Sequence, residues 1–156
     1  MVTVDTTVQK EVELPDLAEP LVRRAVRRVL RDVSERDCAR RYAVDVTFVH
    51  EDAMRELNLK YRDRDSPTDV LSFPLLHDEE EEWFPLPPPD HVSYLGDVIV
   101  CPTEISPGTN VLRELAFLAC HGALHLVGWT HETSDQLQKM NRLTGDALAD
   151  VFPPEL

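Results

Sequence analysis

Three histidines share one short run, His121-Gly-Ala-Leu-His125-Leu-Val-Gly128-Trp-Thr-His131, at the end of a strongly apolar stretch. The stretch predicts a helix over 111–127, entered through Thr109 or Asn110 as a cap. Gly128 is placed to end it in a left-handed turn. Residues four apart on a helix share a face, so His121 and His125 can aim their rings at one point. The reversal at Gly128 lets His131 return to the same point. Three neutral imidazoles with one open position are the pattern of a catalytic zinc site. A chain with six His and five Gly in 156 residues would show this order in about 3 of 10,000 shuffled versions. The plain alternative, unrelated histidines in a buried helix, would leave each ring needing its own partner. Cys120 precedes His121 and points about 100° away on the helix, which argues against a ligand role.

The spacing equals the metzincin ligand frame, and its departure is informative. Peptidases of that frame carry a Glu directly after the first His as general base. Here the position is Gly122, so a metallopeptidase would lack its proton shuttle. A structural site would need a fourth protein ligand, and none is evident in the sequence.

The rest of the chain predicts a single α+β domain over residues 1–156, a mixed sheet packed by helices, with a zinc-hydrolase-like centre. Expected strands are Val8–Leu14, Ala43–His50, Val70–Phe73 and Ser93–Cys101, and expected helices are Asp16–Val33, Glu51–Tyr61 and Ser134–Val151. The first helix places Leu17, Leu21, Val22, Ala25, Val26, Val29 and Leu30 on one face. Arg23, Arg24, Arg27, Arg28 and Arg31 fill the remainder, either as a solvated face or as a phosphate-contacting surface. The acidic, proline-rich stretch 78–90 reads as a surface loop that Trp83 and Phe84 can pin.

The net charge of −13 disfavours general nucleic-acid binding and directs any anionic partner to a local basic patch. Residues 46–156 carry the whole acidic excess. Three cysteines, Cys38, Cys101 and Cys120, form no C-x-x-C pair, which fits a reducing compartment. No leader and no membrane helix is legible, so the expected location is cytoplasmic.

A second polar segment runs from Asn58 through Tyr61, Arg62, Arg64, Asp65, Thr68, Asp69 and Ser72 to Phe73. Arg62 is its chemical candidate, since a guanidinium binds phosphate bidentately and neutralises charge that grows in phosphoryl transfer. A salt bridge to Asp65 or Asp69 is the competing use. Asp97, after Gly96, is a candidate partner that orients a ligand histidine, or else an ordinary strand aspartate.

Together these segments resemble the YbeY family of bacterial rRNA maturation endoribonucleases. The resemblance rests on His121-Gly-x-Leu-His125-Leu-x-Gly128-Trp129-x-His131, on Asn58-x-x-Tyr61-Arg62-x-x-Asp65-x-x-Thr68-Asp69-Val-Leu-Ser72-Phe73, and on Leu95-Gly96-Asp97-Val98. It implies one zinc ion on His121, His125 and His131, and a functionally required arginine at Arg62. It also implies cleavage of single-stranded RNA in 16S rRNA 3'-end maturation, ribosome assembly and quality control, with the small ribosomal subunit and its assembly factors as partners. The chain departs from the family pattern at Thr130, where an Asp usually precedes the third His. It departs again at Gln136 and Gln138, usually acidic, and in the enlarged loop 78–90. A ribosome assembly factor with structural zinc and little nuclease activity is a rival reading, and a metallopeptidase another.

Overall fold

The structure is a computed structural model that describes residues 1–33, 41–75 and 92–154. The loop expected over 78–90, with Trp83 and Phe84, and Cys38 lie outside the described residues. Four strands, β1 (Val2–Val8), β2 (Arg41–Phe48), β3 (Val70–Pro74) and β4 (Val92–Val100), form one sheet in the order β1-β2-β4-β3. The first three positions in that order run parallel, and β3 runs antiparallel to β4 at the edge. The helices are α1 (Ala18–Val33), α2 (Glu51–Arg62), α3 (Val111–Leu126) and α4 (Ser134–Val151). This is the expected α+β arrangement, a mixed sheet packed by helices.

The first strand is not where the sequence reading puts it. Val8–Leu14 was expected to be extended, but the strand is Val2–Val8. Val2 and Val4 alternate with Thr3 and Asp5 and pair with β2, while the chain turns at Gln9, whose carbonyl accepts the Val12 N–H. Val12 and Leu14 still pack on the core, as side chains of a turn region. Leu17 is also displaced from its expected role. It sits in a left-handed turn (φ 71°) just before α1 and is 66% exposed.

Side-chain alternation divides the sheet into two faces. Val4, Val44, Val46, Val98 and Val100 point to one side, where α1, α3 and α4 bury Val26, Val29, Leu115, Ala119, Met140 and Leu148 against them. On the other side Leu71 and Ile99 pack with Met54 and Leu57 of α2. Burial of so many branched side chains is the main stabilising contribution. The arginines of α1 largely serve the fold. Arg23 donates to Thr6 Oγ1 at 2.8 Å, Arg27 to the Val2 carbonyl at 3.1 Å, and Arg28 pairs with Asp32 and Asp150 at 3.1 Å.

Asp5, Asp45 and Asp97 lie in register on three adjacent strands, on the face opposite α3. Partial burial raises the Asp45 carboxyl above its usual range, and repulsion from Asp97 and Asp5 adds to this. A carboxyl raised in the folded state favours folding only while protonated. Its benefit is present below the ordinary value of about 3.9 and disappears as pH rises through the folded value. Asp45→Asn is therefore expected to raise the melting temperature by about 1–3 °C at pH 7, judged from like-charge cross-strand pairs. The gain should vanish below about pH 4, near the ordinary Asp value. Thermal melts across that range check both statements.

Candidate metal centre and its arginine

Helix α3 begins as expected, with Asn110 Oδ1 accepting the Arg113 N–H at 3.2 Å. It ends at Leu126, and Gly128 takes the left-handed turn at φ 94°. That turn brings His131 back over the helix. The ring centroids of His121 and His125 lie 4.6 Å apart, those of His125 and His131 5.0 Å, and those of His121 and His131 5.4 Å. One ring nitrogen from each histidine lies within 4.8 Å of the other two.

The tautomer of His125 follows from its partner. Its Nδ1 lies 2.8 Å from the Trp129 carbonyl, which only accepts, so Nδ1 carries the proton and Nε2 keeps its lone pair. That Nε2 is 3.0 Å from Nε2 of His121. Two nitrogens held tetrahedrally by one zinc at about 2.0–2.1 Å lie about 3.3 Å apart, so the pair needs to open only slightly. Burial, with His125 and then His131 close by, lowers His121 to about 4. Burial also lowers His125, with His131 and Arg62 acting in the same direction. Imidazoles that resist protonation keep their lone pairs for a metal at neutral pH. The donor set thus fits an imidazole-preferring divalent ion.

Arg62 shares the site. It is the last residue of α2 and lines the same 550 Å³ cleft as His121, His125 and His131, together with Thr68, Asp69, Val70, Ser72, Pro74, Thr130 and Glu132. The competing salt bridge does not form: Asp65 pairs with Arg55 at 2.6 Å, and among the described residues no carboxylate pairs with Arg62. Buried Asn58 steadies this helix end, donating from its side-chain amide to the Ser66 carbonyl at 2.8 Å.

Asp97 is not in the cleft. Val98 faces α3, so Asp97 projects to the other side of the sheet, beside Asp45. The atom that orients a histidine is instead the Trp129 carbonyl. Asp69, offered by the sequence as a salt-bridge partner for Arg62, and Glu132, which the sequence reading passed over, both line the cleft. Glu132 follows a ligand candidate directly, and that adjacency was the available signal. Cys120 is buried, and burial pushes its thiol upward, so it stays protonated away from the histidine cluster.

Gly122 explains the missing glutamate. A Cβ there would lie 2.5 Å from Val98 Cγ1 and 3.0 Å from Ser72 Oγ. The Gly122 carbonyl also accepts the Ser72 hydroxyl at 2.9 Å, which ties α3 to β3. Gly122→Ala is expected to cost about 1–3 kcal/mol of stability through overpacking, read by denaturant unfolding. The departures at Thr130 and Gln136 meet each other. The Thr130 hydroxyl donates to Gln136 Oε1 at 3.0 Å, and that oxygen also accepts the Glu132 and Thr133 N–H groups. The turn carrying His131 is thereby fastened to the start of α4.

Fold and site define a class: an α+β protein with a three-histidine centre suited to a metal, opening on an arginine suited to an anion. The sequence profile of the family described as Endoribonuclease YbeY matches residues 6–151. The chain belongs to the Endoribonuclease YbeY family. It is 36% identical over 152 residues to the Endoribonuclease YbeY of Symbiobacterium thermophilum, covering 92% of each chain. With that of Geobacillus kaustophilus it shares 40% identity over 111 residues, 68% of this chain and 70% of the relative. A solution structure of a Thermotoga maritima protein superposes with a TM-score of 0.55 at 25% identity, over 96% of this chain and 89% of the other. Among the described residues no helix is long and apolar enough to cross a membrane.

Proposed function

We propose that this chain is a zinc-dependent endoribonuclease that cuts single-stranded RNA during 16S rRNA 3'-end maturation. The proposal extends to ribosome assembly and quality control in the cytoplasm, beside the small ribosomal subunit and its assembly factors. The observation that carries it is the shared cleft, in which His121, His125 and His131 converge opposite Arg62, which pairs with no carboxylate among the described residues. An endoribonuclease of this family acts on RNA, and a cleft with one cation-binding cluster and one guanidinium suits a phosphodiester. His121, His125 and His131 would hold the ion, which supplies Lewis acidity toward a phosphoryl oxygen and acidifies water. Arg62 grips the scissile phosphate and neutralises charge that accumulates on it. The Trp129 carbonyl keeps His125 in the tautomer that presents Nε2 to the ion. The chain's excess negative charge is tolerable because attraction is needed only at the cleft.

The test is metal analysis of the purified protein together with cleavage of an unstructured RNA and identification of its ends. One zinc per chain and cleavage that stops on chelation are expected. A 2',3'-cyclic phosphate intermediate would assign attack to the substrate's own 2'-hydroxyl, and a 5'-phosphate product without it would assign attack to water. Equal cleavage after complete metal removal would refute the proposal.

A further inference from the structure

Tyr61 is 56% exposed, although it stands one residue before the cleft-lining Arg62. The ring is held in place. Phe73 meets it edge to face, with centroids 4.9 Å apart and planes at 64°. Phe73 projects to the α2 side of the edge strand β3, whereas Val70, Ser72 and Pro74 of the same strand line the histidine cleft. A polymer lying across β3 would thus pass from the cleft directly onto Tyr61. The Lys60 ammonium stands over the ring, 5.2 Å from its centroid, a cation resting on an aromatic face.

We propose that Tyr61 is a stacking platform for an RNA base, belonging to a nucleotide that flanks the one whose phosphate meets Arg62. The inference rests on the ribonuclease reading above and adds a binding subsite to it. An aromatic face stacks on any base, so such a platform binds RNA without demanding a sequence. It does demand an unpaired base, because a duplex keeps its base faces against one another. The platform therefore selects single strands. Phe73 lowers the entropic cost by fixing the ring before RNA arrives. Lys60 has to swing off the ring as a base stacks, and its long side chain then brings the ammonium to that nucleotide's phosphate.

The experiment compares wild type with Tyr61→Phe, Tyr61→Leu and Tyr61→Ala on an unstructured oligoribonucleotide and on versions with one abasic position each. Tyr61→Leu retains an apolar contact for Phe73, and thermal melts confirm that it folds. Loss of the ring in Tyr61→Leu and Tyr61→Ala should raise KM about tenfold while kcat stays within about twofold, and Tyr61→Phe should match wild type. One abasic position should weaken wild type to the level of Tyr61→Leu and leave the variant unaffected. Equal KM for wild type and folded Tyr61→Leu, with normal cleavage, would overturn the stacking subsite alone. Failure of wild type to cut any of these RNAs would overturn the ribonuclease reading beneath it.

Discussion

His125→Ala is expected to strip the protein of its metal and to lower RNA cleavage by at least about a thousandfold, the scale of losing a Lewis acid. His125 is the hinge of the cluster. Its Nε2 stands 3.0 Å from that of His121, and its Nδ1 is anchored on Trp129 beyond the helix end. The substitution removes one donor and also the tie that holds the turn leading to His131. The remaining pair, His121 and His131, would bind an ion with two imidazoles and a looser loop, which weakens metal retention by orders of magnitude. The fold should survive, because the ring is only half-buried and the apolar face of α3 is untouched. Circular dichroism, metal analysis and cleavage of an unstructured RNA check the three parts. A metal-free, folded variant that still restored rRNA processing would instead support the assembly-factor reading.

The histidine cluster was legible in the sequence because it is local. Helical spacing joins His121 to His125, and a glycine stop returns His131, all within eleven consecutive residues. The tertiary facts were less accessible. Arg62 stood out by its chemistry, but its arrival beside the histidines depends on α2 reaching past the edge strand β3, which no periodicity encodes. Gly122 announced a missing glutamate without revealing that Val98 fills the space. Of the two uses open to Asp97, a histidine's partner or an ordinary strand aspartate, strand phase favours the second. Alternation puts neighbours on opposite faces, and the register shift between Ala43 and Val44 is what settles Asp97 beside Asp45 and Val98 beneath α3. The first strand was missed because Val2–Val8 carries threonines and an aspartate on its open face, while the more apolar Val12 and Leu14 suggested a strand further on. The loop 78–90 remains an expectation from composition.

Arg62→Ala is expected to lower kcat/KM about 100- to 1,000-fold while the metal content stays unchanged, as for removal of one preorganised charge-stabilising donor. The two readouts separate a phosphate-binding group from a metal ligand. Arg62 contacts the cleft from a different helix, and among the described residues it has no carboxylate partner whose loss would disturb the fold. Charge alone should not restore activity. Arg62→Lys places one ammonium where a planar fork stood, so it recovers binding of the phosphate better than it recovers kcat. Arg62→Glu should be worse than alanine, since it sets a carboxylate beside Asp69 and Glu132 in a cleft that must accept a polyanion. The order wild type, Lys, Ala, Glu in kcat/KM, at constant metal content per chain, is the signature of a guanidinium acting on a phosphate. Equal activity of the lysine and wild-type proteins would reduce Arg62 to a steering charge, and loss of the metal in Arg62→Ala would make it a support of the metal centre.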